Sequence, residues 1–161
     1  MPEASLEICF NLPLSPVWEF ISDLSKIASC LRFIGEVEKT PDSQIWKVKV
    51  PMSITTRTSD LIPEITQVEK GKSLAWLAKG EHIKWSGSFD LEEIGDKKTR
   101  AKIKLEVSGL GPMAVIINPT AALQIKNQLK YFIEQLMKNL EGEKVVLEGS
   151  GLPYCDEEEK K

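Results

Sequence analysis

Two stretches of this chain alternate with a period of two, and the stretch that follows them repeats every three to four residues. In IKWSGSFDL, Ile83, Trp85, Gly87, Phe89 and Leu91 fall on one side and Lys84, Ser86, Ser88 and Asp90 on the other. RAKIKLEV likewise turns Ala101, Ile103, Leu105 and Val107 one way. Alternation of this kind makes a half-buried strand with one apolar face. After GLGP the period changes: Ala122, Ile125, Leu129, Phe132, Ile133, Leu136 and Leu140 recur at helical spacing, and Asn118 before Pro119 reads as a cap. That predicts a long amphipathic helix over 119–140. An antiparallel sheet with one apolar face must bury it, and a single long helix lying across it is the simplest cover.

Upstream, Leu6, Ile8 and Phe10 alternate with Glu7, Cys9 and Asn11, a first strand that Pro13 ends. Ser15 followed by Pro16 is a helix-start signal, and Val17, Phe20 and Ile21 then share a face, with Trp18 on its shoulder. Asp23 or Ser25 can cap a second short helix burying Ile27, Cys30 and Leu31, after which Gly35 lets the chain turn out. This split pair is too short to be a parallel crossover and reads instead as a plug at one end of the sheet. Trp46, Val48 and Val50 alternate with Lys47 and Lys49, and a long extended stretch from Ile54 to Glu69 is interrupted by Pro63. EKGK at 69–72 is a turn, and Leu74, Trp76 and Ala78 share the next face. IGDKK closes a hairpin, with Gly95 as its permissive residue. Turns every ~10 residues argue for one antiparallel meander.

With 161 residues, 42% of them hydrophobic, the chain can bury one core, expected over 1–142, with 143–161 an acidic, mobile tail. Lys144–Leu147 is apolar enough to dock or add a strand. The net charge of -3 gives no global basic excess for nucleic acid, and the lysines at alternate strand positions read as a solvated face. Cys9, Cys30 and Cys155 form no CxxC pair, and His82 is the only histidine, so no metal site is expected. Reduced thiols and a cytoplasmic location follow as expectations. No basic-then-apolar leader opens the sequence, and no apolar run reaches the ~20 residues of a membrane-spanning helix.

The order of strand, two short helices, antiparallel strands and long C-terminal helix resembles the START-like (SRPBCC, helix-grip) superfamily, which includes birch-pollen-allergen-like proteins and polyketide cyclases. Within it the chain looks most like the carbon monoxide dehydrogenase G-subunit family. The residues that carry the resemblance are VWEFISDLSKIASCL at 17–31, the Trp85–Phe89 strand and GLGPMAVIINP at 109–119; Arg32-Phe33 departs from the Pro-Gly that usually follows in that family. The resemblance covers roughly residues 5–140. It implies an α+β helix-grip fold, a curved antiparallel sheet wrapped around the long C-terminal helix, with the two short helices after the first strand. One fold of this kind hosts carriers, cyclases and accessory factors.

The inward set comprises Trp46, Val48, Trp76, Trp85, Gly87, Phe89, Ile103 and Leu105 on the strands, faced by Ile125, Leu129 and Phe132 on the helix. These line either a ligand cavity or a filled core. Gly87, Ala78 and Ala101 are the small residues that such a space would use. Met113 and Ile117 belong to the 109–119 segment, which is either the first turn of the final helix or a lid over the pocket mouth, offered to a lipid or a partner. Glu81, in phase with Ile83 and Trp85, would turn a carboxylate inward, whereas His82 falls on the outward side. Arg57 and Asp60 lie in a stretch too uniformly polar for its faces to be assigned. No catalytic constellation, cofactor motif or metal-ligand set stands out.

Non-catalytic binding of a hydrophobic small molecule (lipid, isoprenoid or quinone) between sheet and helix is therefore expected. The carbon monoxide dehydrogenase resemblance implies an alternative, an accessory factor to a molybdenum hydroxylase complex, with transient membrane contact but no anchor in the acidic tail. A third reading is an enzyme of cyclase or dehydratase type that uses Glu81.

Overall fold

The computed structural model describes residues 2–32, 34–41, 44–52 and 55–141. Along these the chain forms β1 (Glu3–Phe10), α1 (Leu14–Ile21), α2 (Leu24–Cys30), β2 (Ile34–Lys39), β3 (Gln44–Met52), β4 (Thr55–Glu69), β5 (Ser73–Lys79), β6 (Ile83–Gly95), β7 (Lys98–Gly109), a 3-10 turn at Gly111–Met113 and α3 (Ala114–Glu141). The proposed tail at 143–161, with its KVVL segment and Cys155, lies outside the described residues.

The seven strands form one sheet in the order β1-β7-β6-β5-β4-β3-β2, each pair antiparallel. α3 packs against β7 and β1 and also against β3. Strands β7 and β3 lie four spacings apart, about 19 Å in a flat sheet, which is wider than a helix of about 10–12 Å. The sheet must therefore curve around α3 to touch it from both sides. This is the helix-grip fold. Part of the curvature is visible in β4, which changes partners along its length. Thr55–Leu61 pairs with β3, and Ile62–Glu69 pairs with β5. Pro63 falls just past the changeover, where β4 has a partner on one side only, the setting in which a sheet tolerates proline.

The alternation seen in the sequence sets the faces. Ile83, Trp85, Phe89, Leu91, Ala101, Ile103, Leu105 and Val107 are all buried. Three outward basic residues, Lys47, Arg100 and Lys104, are paired with acids on the solvated face. Lys104 Nζ is 3.1 Å from Glu3, Lys47 Nζ lies 3.5 and 3.6 Å from Glu38 and Asp60, and Arg100 reaches Glu92 at 2.8 Å. Several turn expectations are corrected. Gly95 pairs with Lys98 inside the ladder, and the positive φ angles belong to Gly71 (76°) in the EKGK turn and Gly111 (57°) ahead of α3. Gly35 sits inside β2 at a bulge in its pairing with β3 rather than in a turn.

α1 begins at Leu14 behind Pro13, with Ser15 and Pro16 already in its first turn and no side-chain cap. Asp23 does cap α2, its Oδ1 accepting from the Ser25 N–H at 2.9 Å. Val17, Ile21, Ile27, Cys30 and Leu31 are buried. Both helices touch α3 and the sheet, α1 at β6 and β7, α2 at β2 and β4. They thus close one end of the grip, the place that the split pair was expected to take.

α3 starts five residues earlier than its sequence pattern suggests. Pro119 lies within it, and Asn118 does not cap it; its Oδ1 instead accepts from the Gly109 N–H at 2.8 Å, tying the helix back to the end of β7. The buried stripe also differs from the expected one. Ala122 is exposed and Met137 is buried, and α2 meets α3 near its C-terminal end, where Asn139 Nδ2 lies 3.7 Å from Cys30 Sγ.

Cys30 is a free, buried thiol that packs where α2 meets α3, within 3.7 Å of Asn139 Nδ2. Burial pushes the Cys30 thiol up from 9.0 to about 11. An unfolded chain releases this proton near pH 9 and the folded chain holds it to about 11, so stability is full below pH 9 and falls across that window. Between pH 8 and 10 the urea midpoint is expected to drop further in the wild type than in Cys30→Ala. Equal drops would remove Cys30 from the pH dependence.

Candidate functional site

The concave side of the sheet, facing α3, gathers the residues singled out from the sequence. Trp46, Val48, Trp76, Trp85, Gly87, Phe89, Ile103 and Leu105 on the strands and Ile117, Ile125, Leu129 and Phe132 on α3 are buried. Met113, in the turn before α3, is half-buried against the same core. The aromatic rings interlock. Trp46 and Trp76 meet edge to face at 5.5 Å between centroids, and Phe89 and Phe132 pack tilted at 5.9 Å.

Gly87 has a specific use. It stands directly across from Trp76 in the β5–β6 ladder, and a Cβ there would come within 2.5–2.6 Å of the Trp76 indole. The small residue is therefore filled by the tryptophan ring beside it, a cross-strand arrangement in which an aromatic covers a bare glycine.

The two tryptophans differ in whether their one polar atom, Nε1, has a partner. Trp46 Nε1 donates to Gln44 Oε1 at 2.8 Å, and Gln44 Nε2 donates in turn to Ser25 Oγ at 3.2 Å, which links β3 to α2. Trp76 is 1% exposed, and its Nε1–H has no acceptor among the described residues. On α3, the buried Gln128 Oε1 is an acceptor without a donor among the described residues. Buried indole N–H groups usually find a partner, and an unmatched one calls for an explanation such as a bound molecule. Sequence reading passed over Gln128, although the signal was there. It falls three residues after Ile125 and four before Phe132, a polar side chain in phase with an apolar stripe.

Glu81 is corrected. β5 ends at Lys79 and β6 starts at Ile83, so the alternation that seemed to carry Glu81 inward is broken by the turn. Gly80 makes that turn tight, its N–H donating to Ile83 O at 2.9 Å. The Glu81 side chain is 85% exposed, beside His82. Asp60 is exposed and the side chain of Arg57 lies outside the described set. No group of three or more potential metal ligands exists among the described residues.

The 109–119 segment is a pinned return rather than a loose flap. Leu110 N–H donates to His82 O at 2.8 Å, and Met113 N–H to Leu110 O at 3.1 Å. Its apolar residues divide: Ile117 is buried, whereas Val115 and Ile116 face out. On the outward side of the sheet lies a depression of about 250 Å³ lined by Ala75, Leu77, Ser86, Ser88, Lys104 and Glu106, with Trp76 and Gly87 also on its wall.

No protein-family model matches the chain, and no curated protein matches it in sequence. Solved structures do match in fold. A conserved protein from Geobacillus kaustophilus superposes with a TM-score of 0.67 at 19% identity, over 86% of this chain and 95% of the other. A START superfamily protein from Mycobacterium smegmatis gives 0.64 at 14% identity, over 86% and 97%. Norcoclaurine synthase from Thalictrum flavum, solved with dopamine and hydroxybenzaldehyde, gives 0.57 at 11% identity, over 89% and 88%. The fold expected from the sequence, that of the START-like superfamily, is the fold the chain has.

Proposed function

We propose that this chain binds a hydrophobic small molecule carrying a hydrogen-bond acceptor, such as a quinone or other carbonyl compound, between the concave sheet face and α3. One observation carries the proposal: the Trp76 indole N–H, buried among apolar side chains without an acceptor among the described residues. Phe89, Phe132, Ile103 and Leu129 supply the apolar surroundings, and Trp76 supplies direction. A buried donor is costly to leave unpaired, so a ligand with an oxygen in reach gains more here than a hydrocarbon of the same shape. Norcoclaurine synthase, with its two small aromatic ligands, is a precedent for ligand binding within this fold.

The cyclase alternative loses the residue it named, since the Glu81 carboxylate stands in solvent. Service to a molybdenum hydroxylase is a separate proposal, drawn from the carbon monoxide dehydrogenase resemblance alone. Co-purification of large dehydrogenase subunits with the tagged chain tests it.

An alkyl naphthoquinone and the matching alkyl naphthalene, titrated against wild type and Trp76→Phe, test the ligand proposal. Wild type is expected to prefer the quinone, and Trp76→Phe to lose about fivefold of that preference, the size of one net hydrogen bond. Circular dichroism checks that the variant is folded. If neither probe binds, and native mass spectra of freshly purified protein show only the bare chain, the proposal fails.

A further inference from the structure

The outer face of α3 changes character halfway along the helix. Toward its C-terminal end Ile133 and Met137 on this side are buried in the core. Toward its N-terminal end no described residue covers it. Val115 is 80% exposed and Leu123 is 84% exposed, with Ile116, Pro119 and Ala122 also exposed alongside them. At 100° per residue, Val115, Pro119, Ala122 and Leu123 fall on one stripe with Ile116 at its margin, and Lys126 and Lys130 continue that stripe toward the C-terminus. Lone exposed aliphatics are ordinary, but a contiguous row of them on a convex helix marks an interaction surface.

Charge decides what the surface fits. From Val107 to Ile133 the chain contains no aspartate or glutamate, although it holds 24 of them in 161 residues. The only charges in that stretch are Lys126 and Lys130, both exposed. The stripe also lacks tryptophan, tyrosine and arginine, the side chains that anchor most protein interfaces. Aliphatic residues followed by lysines, on a convex helix about 22 Å long from Val115 to Lys130, suit shallow insertion parallel to a bilayer with the ammonium groups at the headgroups. No helix among the described residues is long and apolar enough to cross a membrane, so contact of this helix with lipid would be with the surface.

We propose that the N-terminal half of α3 docks on an anionic lipid surface through Val115, Ile116 and Leu123, with Lys126 and Lys130 supplying the charge preference. This holds whether or not the interior takes a ligand. Docking would place the 109–119 return, and the end of the grip beside it, at the bilayer.

Co-sedimentation with phosphatidylcholine vesicles, with and without about one third phosphatidylglycerol, tests the proposal. The full chain is expected to pellet with the anionic vesicles. Val115→Ser with Leu123→Ser should lower vesicle affinity at least tenfold, and each of Lys126→Gln and Lys130→Gln should cost about fivefold on anionic vesicles only. Because all four side chains are exposed, thermal melting should be unchanged, which separates lost docking from lost folding. A wild-type chain that stays in the supernatant, or a serine variant that pellets equally, overturns the proposal. So does sedimentation velocity showing a wild-type dimer that Leu123→Ser converts to monomer, since the stripe would then join two copies of this chain. Naphthoquinone binding, measured on the same variants, should be unaffected.

Discussion

Phe132→Ala is expected to destabilise the fold by about 3–5 kcal/mol, the cost of emptying a fully buried aromatic site. Phe132 is 0% exposed on the inner face of α3, and its ring packs 5.9 Å from that of Phe89. Two losses add at this position. The transfer free energy of the ring disappears, and Phe89 is left against a void that the curved sheet cannot easily close. A domain of this size has roughly 5–15 kcal/mol in total, so the variant should show a markedly lower urea midpoint and lie close to unfolding at physiological temperature. Leu123→Ala, nine residues earlier on the same helix, provides the contrast. Its side chain is 84% exposed, and the change should stay within about 0.5 kcal/mol. Equal midpoints for the two variants would mean that α3 does not present Phe132 to the sheet.

Gly87→Val sets two effects against each other. Valine suits a strand far better than glycine does, and at an open position the exchange would stabilise by up to about 1 kcal/mol. Here the added Cβ would lie 2.5 Å from Trp76 Cε2, inside a ring that is itself buried against Trp46. The indole is 1% exposed and packed edge to face against Trp46, so displacing it disturbs the core. Overpacking of this kind costs about 1–3 kcal/mol, occasionally more, so the steric term wins and net destabilisation of about 2 kcal/mol is expected. Gly35 serves as the control, because a Cβ there meets only Lys47 O at an ordinary 3.6 Å. Urea denaturation of Gly87→Val and Gly35→Ala reads both. A Gly87→Val protein as stable as wild type would show that Trp76 does not occupy the glycine. The altered near-ultraviolet signal of a displaced tryptophan gives an independent readout.

Much of the fold was legible because its strands follow simple rules. β6 alternates cleanly from Ile83 to Leu91 and β7 from Ala101 to Val107, and over those spans their inward residues are the buried ones. The inner stripe of α3 from Ile125 to Leu136 was equally clear. Legibility failed where a neighbour, rather than the pattern, decided the outcome. Glu81 kept phase with Ile83 on paper, yet the tight Gly80 turn separates them and sends the carboxylate to water. Asn118 and Pro119 looked like a helix start, yet the hydrogen bond from Gly109 to Asn118 lets the helix begin at Ala114 and carry the proline inside. Small Gly87 looked like open space, and the ring across the strand pair fills it.

The sequence by itself determined which faces of the strands turn inward, that a long helix must cover them, and that a short helical pair interrupts the chain after the first strand. Period and polarity are local, and each residue carries them wherever it is placed. Only the tertiary structure decided that the outer face of α3 is buried at Met137 and bare at Leu123, and that the buried Trp76 N–H meets no acceptor among the described residues. Those outcomes depend on where α1, α2 and β3 come to rest against the helix and sheet. Contact between distant segments is a property of the assembled chain that no single stretch of it encodes.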